Sequence, residues 1–192
     1  MGSRSSRRVA SLVIAGASGL FALGFANEAH ALPLVSLYGN LRGLYGSAAG
    51  TQVLNPYGFG LGLSAGLTIK SIYAGLSFDY FFGESKKIET FDTSVSMYQA
   101  ELHGGYDFGL GPLTLRPNLG LGLAHDKSSV DGPPGVSYAG KASTSKFVAS
   151  PGLEGIIGLG LMTVSAEVSY AKVFSSAELD GVIFGVGVGL SL

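Results

Sequence analysis

From residue 34 onward, apolar side chains recur at every second position with small or polar residues between them. Successive side chains of a strand point to opposite faces, so this period predicts strands with one apolar face. The pattern is cleanest in 57–69, where Tyr57, Phe59, Leu61, Leu63, Ala65, Leu67 and Ile69 alternate with Gly58, Gly60, Gly62, Ser64, Gly66 and Thr68. The same alternation runs through 34–46, 72–82, 96–108, 113–123, 146–157, 162–174 and 181–192, giving eight predicted strands. All have 11–13 residues, about twice the usual ~5–6. In 181–192, Gly181, Gly185 and Gly189 also have the spacing of packed membrane helices. A spanning helix needs ~20 apolar residues, and this stretch has twelve. It reads as a strand.

The connections alternate in length. Lys70-Ser71, 109–112 and 158–161 are tight; 47–56, 83–94, 124–145 and 175–180 are longer and polar. An even strand count then brings both chain ends to the short-turn side. Glycine makes up 31 of 192 residues and charged residues only 13%, against usual shares of ~7% and ~25%. Beyond the N-terminal segment, no run of ~18 apolar residues offers a helical span. Without cysteine there are no disulfides and no thiol chemistry. Residues 32–192 carry nine basic and twelve acidic side chains, which excludes the clustered basic excess of a nucleic-acid binder.

Residues 1–31 read as a cleaved export signal: Arg4, Arg7 and Arg8, then a diluted apolar stretch over 9–25, then Ala29-His30-Ala31 as a small-x-small site. The alternative is an uncleaved anchor helix. The Arg7-Arg8 pair reads as ordinary n-region charge, because the twin-arginine route carries folded cargo and a membrane barrel must cross unfolded. The mature domain is expected to span 32–192.

Alternation alone leaves open which face points outward. A soluble eight-stranded barrel buries its apolar face, which here would leave a water-facing surface of Gly, Ser and Thr with few charges. Turned the other way, the small residues suit a lumen barely wide enough for its own side chains. The apolar residues then face lipid, where open sheet edges are not tolerated. Tyr45, Tyr57, Phe59, Phe82, Tyr98, Phe147, Phe174 and Phe184 cluster near the long-loop ends, as an interfacial girdle would. The predicted fold is all-β, a closed antiparallel eight-stranded transmembrane barrel in the bacterial outer membrane.

The strand and loop pattern, the 115–122 segment LRPNLGLG and the 166–170 segment AEVSY resemble the small outer-membrane barrels of the OmpA transmembrane-domain, OmpX-like and opacity-protein family. That resemblance implies an integral outer-membrane protein with a structural or surface-interaction role. It also implies two partners: outer-membrane lipids including lipopolysaccharide, and the barrel-assembly machinery. The family's C-terminal assembly signal is a glycine followed by two aromatics; Gly187, Leu190 and Leu192 occupy those places, with leucine at both aromatic positions.

The face opposite the apolar one carries Arg42, Asp79, Glu101, His103, Asp107, Arg116, Glu154 and Glu167. Isolated buried ions cost several kcal/mol, so these are expected to form a structural ion-pair network with Glu101 and Arg116, on adjacent strands, among its members. Acids outnumber arginines, so one carboxylate is expected protonated or His103 charged. A proton or ion path is the second reading. Catalysis would need a Ser–His–acid arrangement, for which His125-Asp126-Lys127-Ser128 at the rim is the candidate, with lipid A modification the chemistry. A diffusion pore needs about sixteen strands. The expectation is therefore a non-enzyme without cofactor or metal, presenting loops 83–94 and 124–145 either as contact surfaces or as solvated caps.

Overall fold

Inside a hydrocarbon layer every peptide group needs a partner within the protein, and a closed antiparallel ladder supplies one to each. The computed structural model describes residues 35–49, 54–88, 91–131, 139–175 and 179–192; the expected export signal lies outside them. The elements are β1 (Val35–Ala48), β2 (Gly58–Ile69), β3 (Ile72–Phe81), β4 (Ser85–Ile88), β5 (Phe91–Tyr106), β6 (Phe108–Leu110), β7 (Leu113–Asp131), β8 (Ala139–Leu159), β9 (Met162–Phe174) and β10 (Gly181–Ser191). Eight of them pair in the order β1-β2-β3-β5-β7-β8-β9-β10, and β10 pairs back onto β1. The short β4 and β6 extend the sheet beside β5 and β7.

The register sets the barrel's dimensions. Cross-strand partners lead from Ser36 through Thr68, Tyr73, Gly105, Asn118, Gly152, Ser169 and Ile183 back to Gly46, ten residues along β1 from the start. With eight strands, that stagger gives a tilt of about 40° and a backbone radius of about 8 Å. Outward, Phe59, Leu61, Leu63, Leu67 and Ile69 of β2 are all exposed; along a strand so tilted they make an apolar band about 25 Å tall. The band and the closure are those of a membrane barrel.

Three features depart from the sequence reading. Tyr57, expected in the girdle, is 0% exposed and points into the lumen. Gly58 just after it has φ +67°, which breaks the pleat and reverses the parity of the preceding residue. Residues 124–145, expected as a loop, are largely strand: 124–131 pair with 139–146 and prolong the β7–β8 hairpin. Likewise, within 83–94, β4 pairs residues 85–88 with 91–94 at the outer end of β5. At the opposite end the β2–β3 turn is made by Lys70 (φ 48°) and Ser71 (φ 74°), both left-handed, as a two-residue hairpin that follows sheet twist requires.

Candidate functional site

Two places carry the polar chemistry: the lumen, and the sheet raised above one rim. Within the lumen the inward parity of each strand aims its charges at the axis. Arg116 on β7 grips Asp107 through two bonds, Nε to Oδ1 at 2.6 Å and an Nη to Oδ2 at 3.0 Å, and reaches Glu154 at 3.2 Å. Its guanidinium lies 3.7 Å from the Tyr73 ring centroid, a cation–π contact. The Tyr38 hydroxyl donates to the other oxygen of Glu154 at 2.8 Å, and the Thr68 hydroxyl donates to Asp107 at 2.9 Å. Higher up, Arg42 binds Asp79 at 2.7 Å and Glu167 at 2.5 Å. Each guanidinium thus holds two carboxylates.

Glu101 is the exception. Its partners are the Ser150 hydroxyl at 2.8 Å and His103 Nε2 at 3.5 Å. Glu101 and Arg116 do stand on adjacent strands, but they do not meet. Glu101 lies opposite Gly122, six residues along β7 from Arg116 and so about 20 Å away.

The sequence reading missed what lies on either side of the charges. Toward the raised rim, Leu44, Tyr57, Phe81, Met97, Val148 and Ile183 form one buried apolar cluster, and toward the short turns Tyr38, Tyr73 and Ile156 form another. Buried side chains therefore fill the lumen from one cluster to the other. Several of these plug residues are visible in hindsight as apolar letters on the small-residue parity, grouped near the long-loop strand ends. Tyr57 closes the top: its hydroxyl donates to the Leu179 carbonyl at 2.7 Å. A Cβ on Gly46 would come within 2.6 Å of the Tyr57 Cβ, and one on Gly181 within 2.5 Å of its ring, so both positions need glycine. Beside it, Asn55 Oδ1 accepts from the N–H groups of Ala48 and Tyr57, and Asn55 Nδ2 donates to the Gly46 carbonyl.

Neither of the two described histidines, His103 and His125, is arranged for acyl transfer, which needs the acid on one ring nitrogen and the nucleophile on the other. Ser77 and Glu101 both approach His103 Nε2, inside the closed lumen. At the rim, His125 Nδ1 shares a hydrogen bond with Ser145, while Asp126 binds Lys146 at 2.9 Å. Adjacent strand residues face opposite ways, so the 125–128 letters are not brought together. Among the described residues no cluster of His, Asp and Glu is arranged to hold a metal ion.

Two carboxylates outside the membrane band are tied down. A hydrogen bond from Lys86 and another from the Asn55 N–H hold the Glu84 carboxyl below its ordinary range. Burial pushes Asp180 up, but hydrogen bonds from Lys172, the Val173 N–H and the Tyr170 hydroxyl outweigh it and leave the carboxyl low. Of the expected assembly residues, Leu190 and Leu192 are exposed on the lipid face, and Gly187 packs on the Asn40 side chain. Leu192 and Leu37 exchange backbone hydrogen bonds at 2.8 and 2.9 Å.

Above the barrel, β4, the outer part of β5 and the prolonged β7–β8 hairpin form a four-stranded sheet. Pairing of β9 to β8 starts at Phe147–Phe174, so among the described residues 139–146 stands as a sheet edge.

No protein-family model matches the chain, and no curated protein matches it in sequence. Solved structures match its shape. Neisserial surface protein A is 16% identical, with a TM-score of 0.55 over 82% of this chain and 97% of its own. Ail, the attachment invasion locus protein of Yersinia pestis, solved with the heparin analogue sucrose octasulfate, is 15% identical with a TM-score of 0.56 over the same shares. A major outer membrane protein from Thermus thermophilus is 10% identical with a TM-score of 0.64, over 82% of this chain and 99% of its own. At such identities the likeness is one of fold. With its apolar band outward, it is the fold of a bacterial outer-membrane protein.

Proposed function

We propose that this outer-membrane barrel works as a rigid base for its raised sheet, through which it makes contacts at the cell surface, and that it is neither a diffusion pore nor an enzyme. The observation that carries this reading is the sheet itself: 19 residues in β7 and 21 in β8, far more than a bilayer crossing of ~9–11 needs. Strand added beyond that length serves something outside the membrane. Among the described residues no strand pairs with 139–146 on the side away from β7, and a sheet edge is a form of surface that takes up extended segments of other chains. Binding through the regions 83–94 and 124–145 agrees with this geometry. The structural neighbours named for surface exposure or attachment add weight to a contact role.

The filled lumen argues against conduction. Planar-bilayer recordings should show no steps of hundreds of picosiemens. Replacing 127–143 by a short glycine turn should leave the barrel folded, with its usual gel mobility shift between unheated and boiled samples, while abolishing adhesion of expressing cells. Adhesion unchanged by that deletion contradicts the proposal. Lipid A profiles should be the same with and without the protein, as expected of a non-enzyme. During insertion, Leu190 and Leu192 on the lipid face would be available to the assembly machinery.

A further inference from the structure

The outward face of the raised sheet changes character just above the girdle. Tyr98 and His125 stack at 4.7 Å, and His125 bonds Ser145 at 2.8 Å; among the described residues this is the last aromatic row on the outward-facing parity of β5, β7 and β8. One pleat further out, Ser96, Lys127 and Ser143 stand side by side across the three strands, and the next row is Ser94, Ser129 and Lys141. Lys127 and Lys141 are diagonal neighbours on adjacent strands, with backbones about 7–8 Å apart. Both are exposed. Among the described residues neither is ion-paired: Lys127 lies 5.5 Å from the Tyr98 ring, Asp126 is held by Lys146, and Asp92 and Asp131 stand opposite each other one row beyond Lys141, with Lys87 opposite Asp92 on the other side. Hydroxyls separate the two ammonium groups, with Ser94 and Ser129 sharing a hydrogen bond at 2.8 Å.

Each pleat of a strand so tilted rises about 5 Å. The lysine pair therefore stands about 5–10 Å beyond the aromatic row, at the depth of lipid headgroups. A phosphate there offers acceptor oxygens and negative charge to two ammonium groups and intervening hydroxyls, the donor set for charge-assisted hydrogen bonds. Resting on the outer-membrane reading above, we propose that Lys127 and Lys141, with the hydroxyls of Ser129 and Ser143, bind a phosphate of the lipid A headgroup of lipopolysaccharide against the outward face of β7 and β8. The site then fixes the raised sheet to the membrane surface.

The test uses the full chain refolded in zwitterionic micelles, with its unfolding midpoint read from the gel mobility shift as diphosphoryl lipid A is added. Lipid A should raise the midpoint of the wild type by several degrees, and sodium chloride should shrink that rise. K127Q/K141Q should lose most of it; K127R/K141R should keep it, as should K70Q at the opposite end of the barrel. Dephosphorylated lipid A should have little effect. The inference is overturned if K127Q/K141Q rises as far as the wild type, if phosphate-free lipid A does as well, or if phosphatidylglycerol at equal charge gives the same rise. Absence of any mobility shift without added lipid would instead sink the outer-membrane reading itself.

Discussion

Arg116 shows how the interior tolerates charge. Its guanidinium satisfies two buried carboxylates at once and stacks on Tyr73. Arg116→Ala leaves Asp107 and Glu154 facing each other without a cation, and removal of one partner from a buried pair costs about 3–5 kcal/mol. Arg116→Lys should recover only part of this, because an ammonium cannot reproduce the two-pronged grip on Asp107. Glu101→Gln should change stability little, since Glu101 has a hydroxyl and an imidazole for neighbours and no guanidinium to lose. Urea unfolding followed by gel mobility ranks the three; a Glu101→Gln loss as large as that of Arg116→Ala would disprove the division of roles. Gly181→Ala tests the plug, since its methyl meets the Tyr57 ring and overpacking costs about 1–3 kcal/mol. At this scale the sequence was partly legible. The inward charges followed from parity, but which carboxylate meets which arginine depends on register, and register is set by pairs of strands together. Tyr57 misled because its letters continue the β2 alternation while Gly58 breaks the pleat.

At the scale of elements, the β2–β3 turn uses Lys70 and Ser71 where Asn and Gly are the residues that adopt left-handed backbone readily. Lys70→Asn with Ser71→Gly should stabilise the hairpin by up to about 1 kcal/mol, seen as a higher unfolding midpoint. The connection into β10 carries a pH dependence. The Asp180 carboxyl is low in the folded chain, so its hydrogen bonds contribute stability that is fully present above the ordinary carboxylate range. That contribution is lost as pH falls through the lowered folded value. Asp180→Asn should flatten the acid limb of the stability curve, while an unchanged limb would refute the assignment. The core of each spanning strand was legible because one face meets lipid and one meets a crowded lumen. The prolonged β7–β8 hairpin was not, because above the membrane both faces meet water. Polar residues occupy both parities in 125–129 and 141–146, and the strands there are evident only from their pairing.

For the whole molecule, closure, strand count and orientation all follow from an apolar face with no other place to go. A barrel of this radius must fill with its own side chains, and the filling divides into apolar, charged and aromatic layers that leave function to the outer surface. That account makes β7 a ruler, running from lipid-facing Leu121 and Leu123 through His125 to exposed Lys127. The chain has no native cysteine, so spin labels can be placed singly at Leu121, Leu123, His125, Lys127 and Ser129 in bilayers. The decisive measurement is their relative accessibility to oxygen dissolved in lipid and to a water-soluble nickel complex. Oxygen should dominate at 121 and 123, nickel at 127 and 129, with the crossover at 125. Equal nickel access at all five positions would mean a barrel standing in water, and would contradict the account.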